Sequence, residues 1–110
     1  MMVNSIRGEI AAELDGKLYR LCLTLGALAS LEEKLEANSL AALGERFSSG
    51  KVRSDDLIKV ITAGLFGGGN ELSEAEVSQM RVDGGVSGYV EIAARLLEAA
   101  FTPVTEREDD

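Results

Sequence analysis

Residues 14–25 read LDGKLYRLCLTL, and residues 26–35 continue as GALASLEEKL. The first stretch alternates apolar and polar side chains, as a half-buried strand does; the second repeats its leucines at helical spacing. A single glycine, Gly26, stands between them. Asp15-Gly16 predicts a type I′ hairpin turn, because both central positions of that turn need positive φ. A turn there sets the register: Leu14 opposes Lys17, Ala12 opposes Tyr19 and Ile10 opposes Leu21. Directly opposed residues share a face. Ile10, Ala12, Leu14, Tyr19, Leu21, Leu23 and Leu25 therefore fall on one side, the side expected to be buried. Glu9, Ala11, Glu13, Leu18, Arg20, Cys22 and Thr24 fall on the other, with Arg20 diagonal to Glu9 and Glu13.

A two-stranded hairpin is marginal in water unless its apolar face is covered. The helix that follows at once is the expected cover, with Thr24 as its N-cap and Leu28, Leu31 and Leu35 on its inner stripe. Four further helical segments follow. Ser39 is placed to cap one carrying Leu40, Leu43 and Phe47, which stops near Ser48-Ser49-Gly50. Ser54 is placed to cap the next, with Asp55 and Asp56 in the first turn, where the helix dipole favours acids. Its stripe is Leu57, Ile58, Ile61 and Leu65, and Gly67-Gly68-Gly69 ends it as a flexible connector. Ser73-Glu74-Ala75-Glu76 is a capping box ahead of Val77 and Met80. Asp83-Gly84-Gly85 breaks the chain again, and Ser87 is placed to cap a last helix through Phe101. Tyr89, Ile92, Ala93, Leu96, Leu97 and Ala100 face inward on it. Pro103 forbids its continuation.

The expected fold is α+β: an N-terminal antiparallel β-hairpin packed against a small bundle of about five α-helices. The 110 residues suit one domain. Residues 1–104 read as that domain and 105–110 as an acidic, disordered tail.

The composition narrows the chemistry. There is no histidine, one cysteine and no tryptophan. That removes the commonest general base and zinc ligand, and any intramolecular disulfide. No apolar run reaches membrane-spanning length, and the N-terminus lacks the layout of a signal peptide. The net charge is −8, unevenly spread: residues 1–70 carry nine acids and eight bases, residues 71–110 ten acids and three bases. That balance repels phosphate backbones and anionic lipid, so neither nucleic acid nor membrane is an expected partner. The reading is a non-enzymatic, cytoplasmic protein with no cofactor.

Each motif that carries chemistry elsewhere has a plainer reading here. Gly67-Gly68-Gly69 follows a helix rather than a strand and lacks the Lys-Ser/Thr of a phosphate loop. Glu32-Glu33, Asp55-Asp56 and Asp109-Asp110 lie in amphipathic or terminal segments, where solvated faces and caps explain them. Cys22 sits opposite Glu9, whose charge disfavours the thiolate. Asn38-Ser39-Leu40 approaches the Asp-Ser-Leu site of acyl carrier proteins, with Asn in place of Asp; an N-cap is the simpler role for Ser39. Apolar side chains at helix ends and loops, Phe66, Val86 and Phe101, together with Tyr89, are the candidate partner-binding residues.

The run Arg7-Gly8-Glu9, Leu14-Asp15-Gly16, Tyr19-Arg20-Leu21, Leu23-Thr24-Leu25-Gly26-Ala27-Leu28-Ala29, Leu31-Glu32 resembles the start of the gene transfer agent family. These are small proteins encoded among the tail genes of phage-like gene transfer agents and related prophages. Leu40-Ala41-Ala42-Leu43, Asp56-Leu57, Ala63-Gly64-Leu65 and the Ala- and Leu-rich last helix fit the same pattern. The resemblance implies a tail assembly factor, with a chaperone of the tape measure protein as the leading expectation. A structural tail component retained in the particle is the alternative, and a small acidic carrier protein a third. The implied partners are the tape measure protein or another tail protein, and a second copy of the chain. The implied location is the bacterial cytoplasm, or the virion-like particle if the protein is structural.

Overall fold

The computed structural model describes residues 8–35 and 40–101. Ser39, its neighbour Asn38 and the segment from 102 onward, with its acidic tail, lie outside the described residues. The elements are β1 (Glu9–Leu14), β2 (Lys17–Cys22), α1 (Leu25–Lys34), α2 (Leu40–Ser49), α3 (Ser54–Gly67), α4 (Glu74–Ser78) and α5 (Val86–Phe101). The fold is α+β, an antiparallel two-stranded hairpin followed by helices, as expected.

The hairpin has the expected register, from Leu14↔Lys17 through Ala12↔Tyr19 and Ile10↔Leu21 to Glu9↔Cys22. Asp15 and Gly16 take φ of 59° and 77°, the pair of positive values a type I′ turn requires. Ala12, Leu14, Leu21 and Leu23 are buried. On the opposite face Arg20 pairs with Glu9 at 2.7 Å. Leu25 departs from the expectation: it is 84% exposed. The strand ends at Cys22, and Thr24 accepts a hydrogen bond from the Ala27 N–H at 3.1 Å. Once Thr24 becomes a helix cap, the period of two no longer applies, and Leu25 turns outward as the first helical residue.

A second departure concerns what covers the hairpin. The helix that lies on β2 is α3, and α5 lies along β1; α1 packs instead on α3. α3 is thus the hub, also contacting α4 and α5. Its sequence fits that position, since Leu57, Val60, Ile61, Ala63 and Leu65 are buried on more than one face. Each fully buried aliphatic side chain contributes about 1.5–3 kcal/mol. Gly64 lets α5 come close, because a Cβ there would run into the Leu96 side chain.

Each outer edge of the hairpin carries contacts from elsewhere in the chain. At the end of α3, a Cβ on Gly67 would overlap the Cys22 carbonyl and one on Gly68 the Arg20 carbonyl. These glycines are therefore a packing surface against β2 rather than a flexible connector. Asn70 Nδ2 donates to the Arg20 carbonyl at 2.9 Å, and Arg95 on α5 donates to the Ala11 carbonyl of β1 at 3.3 Å. The turn is also pinned: the Asp15 N–H donates to the Arg81 carbonyl at 2.7 Å, and the Arg81 N–H donates to Asp15 Oδ1 at 3.4 Å.

Two caps fall one residue away from expectation. The N-cap of α3 is Arg53 rather than Ser54, because Asp56 reaches back to the Arg53 N–H at 3.2 Å. α5 begins at Val86, ahead of Ser87, after Gly84 and Gly85 with φ of 88° and 60°. The capping box at Ser73 and Glu76 forms as read, with its two bonds at 2.9 and 3.0 Å.

Candidate functional site

The four candidate residues occupy different environments. Phe66 is 57% exposed, Val86 70% and Phe101 54%. Val86 and Phe101 open and close α5, which sets them about 22 Å apart along the helix axis. The structure therefore does not gather them into one small patch. Tyr89 is half-buried, and its hydroxyl donates to the carbonyls of Met80 and Val77. Burial, with the charge of Asp15 adding to it, raises its pKa. Its visible role is to tie α5 to the end of α4. Leu18, placed on the outer face by the alternation, and Leu25, placed on the inner one, are also exposed.

Phe66 stands at the rim of a groove of about 270 Å³ between α1 and α3. Leu31 and Ala63 supply apolar lining, and Lys34 and Lys59 stand beside them. Thr62 also lines the groove. Among the described residues, its hydroxyl is a buried polar atom with no hydrogen-bond partner. Such a group costs about 1–3 kcal/mol until something pairs with it.

A neighbouring hollow of about 240 Å³ shares Lys34 and Lys59 and adds Arg46, Arg53, Asp55 and Asp56. The lining of the two together carries four bases and two acids. With Glu74, which pairs with Lys34, three carboxylates stand against these four bases, so the charges nearly balance. Lys34 lies 3.5 Å from Glu74, and Lys59 pairs with Asp55. Arg46 grips Asp56 through two bonds of 2.9 Å. Burial alone would raise the Asp56 pKa, but the bonds from Arg46 and the Arg53 N–H, with both positive charges, outweigh it and hold the carboxyl below its ordinary value. That pair anchors α2, together with the fully buried Leu43.

The paired carboxylates separate into unlike roles. Glu32 and Glu33 are both exposed, whereas Asp55 is exposed and Asp56 buried. The Asp56 carboxyl is held low, the opposite of what general acid work needs. The Cys22 thiol is pushed up by burial first and by Glu9 second, away from thiolate. Among the described residues, no cluster of His, Cys, Asp or Glu could hold a metal ion, and no helix is long and apolar enough to cross a membrane. What this geometry offers is a small groove with an exposed aromatic ring, Phe66, flanked by lysines that are paired with carboxylates.

Comparison with known proteins returned one family match. The model of the family described as phage tail tube protein, GTA-gp10, matches residues 7–102. Neither the curated proteins nor the solved structures gave a significant match.

Proposed function

This chain belongs to the GTA-gp10 phage tail tube family, and from that membership we propose that it is a structural part of the tail, retained in the finished particle. Membership makes it a phage tail component. The observation that carries the finer reading is the match to a tube-protein family across residues 7–102. The expected chaperone of the tape measure protein draws no support from that description, and the retained component does.

The surface is consistent with this role. The groove beside Phe66 suits protein contact. A structural part of the tail needs no catalytic step. Its partners are other tail proteins and further copies of itself, and its location is the particle.

Protein mass spectrometry of purified particles tests this. A structural component is present in stoichiometric amounts relative to other tail proteins. Absence, or trace amounts alongside abundant protein in the cell lysate, would overturn the reading.

A further inference from the structure

α2 stands apart from the rest of the fold. Among the described residues, close backbone packing joins β1, β2, α1, α3, α4 and α5 to one another and leaves α2 outside. Of the large side chains sealed completely from solvent, α3 supplies Val60, Ile61 and Leu65, whereas α2 supplies Leu43. Ala41, Glu45, Ser48 and Ser49 are exposed on it. A Cβ on Gly44, in the middle of the helix, would meet nothing within 4 Å. Leu43 and the half-buried Phe47 tie α2 to the core, and Arg46 ties it to Asp56 through two bonds of 2.9 Å.

The end of α2 is closed by its own neighbours. The Arg46 carbonyl accepts the Lys51 N–H at 2.9 Å and the Ser49 hydroxyl at 3.3 Å. Between them Gly50 takes φ of 79°, with open space around it. A rotation of the chain there meets no packed side chain. The other side of the ion pair is equally self-sufficient: when Arg46 leaves, Asp56 stays on α3 and keeps the Arg53 N–H that begins that helix.

We propose that α2 is a detachable arm locked by Arg46 and Asp56: it leaves the body as one unit, pivoting at Gly50, while the hairpin, α3 and α5 stay folded. Its departure takes Arg46 away from the hollow lined with Leu35, Arg53 and Lys59. That hollow is therefore one shape with the arm closed and another with it open. An unpacked helix of ten residues is marginal in water. The released arm unravels, so exchange of its amide hydrogens reports the opening.

Residue-resolved amide exchange on the purified full chain, read by NMR, tests the arm. Glu45, Arg46 and Phe47 should share one protection factor, at least about 100-fold below that of Val60, Ile61 and Leu65. Arg46→Gln opens the lock and spares the Asp56–Arg53 bond; it should speed exchange at those three α2 amides at least about fivefold. Leu21→Ala weakens the body at a distance from α2. It should speed exchange in α3 at least about thirtyfold and change α2 less than about twofold, because the arm opens without unfolding the body. Ile92→Val repeats that comparison with a smaller perturbation. The arm is overturned if α2 is protected as strongly as α3, or if its protection is graded inward from the helix ends, as fraying gives. It is equally overturned if the body variants speed α2 and α3 alike, or if Arg46→Gln leaves α2 exchange unchanged.

Discussion

Arg46 and Asp56, ten residues apart, close on each other through two parallel hydrogen bonds of 2.9 Å. The same carboxylate accepts the Arg53 N–H at the start of α3. One side chain thus caps one helix and holds another in place. Asp56→Ala should lower stability by about 1–3 kcal/mol, as loss of a cap and of buried hydrogen bonds does. Arg46→Met should lower the melting temperature too, because it strands a buried carboxylate. Urea melts read the first and thermal melts the second.

The pH dependence follows from the lowered Asp56 pKa. A carboxyl held below its ordinary value stabilises the fold at any pH above that ordinary value. The contribution is lost as pH falls through the lowered folded value. Denaturation between pH 7 and about pH 3 should therefore show an acid-side loss of stability. Asp56→Asn should be less stable at pH 7 and lose less on acidification; an unchanged acid slope would show that other groups carry it.

Glycine-to-alanine changes should have opposite signs at two positions. Gly26 lies in α1 with nothing within 4 Å of a built Cβ, so Gly26→Ala should stabilise by about 0.5–1 kcal/mol. At Gly67 the Cβ would strike the Cys22 carbonyl, so Gly67→Ala should cost about 1–3 kcal/mol or more. Thermal melts of the two variants side by side make the comparison.

Leu21→Ala and Leu25→Ala test which leucine the core uses. Leu21 is fully buried and Leu25 is 84% exposed. The first should cost about 2–5 kcal/mol, the second under about 0.5 kcal/mol. Equal losses would mean that the alternation continues past Thr24.

Tyr89→Phe removes the hydroxyl that bonds Met80 and Val77. A loss of about 1 kcal/mol is expected. Amide exchange should quicken first at α4, since that five-residue helix depends on this tie.

What the sequence made legible was local. Asp15-Gly16 specified a turn whose geometry determines every pair along the strands. Thr24 and Ser73 act on N–H groups three residues away. Where a competing local group intervenes, the boundary moves by one: Asp56 makes Arg53 the cap, and Gly84-Gly85 lets α5 begin at Val86. The long-range relationships carried no such signal. Nothing in the α1 stripe says that it packs on α3 and leaves β2 to α3. The glycines at 67 and 68 read as a connector because their purpose depends on which backbone lies opposite. The Phe66 groove takes its lining from two helices and Leu72, so composition and periodicity pointed to Phe66 without its surroundings.

The contacts made on the two edges of the hairpin bear on any filament built from this subunit. Strand addition repeats every 4.7–4.9 Å, and here Asn70 and Arg95 already occupy outward carbonyls on the two strands. Neighbouring copies would instead meet helix against helix, at separations of about 8–10 Å. Fibre diffraction from such a polymer would lack a strong cross-β meridional reflection, and amyloid-specific dyes would find no ladder to bind.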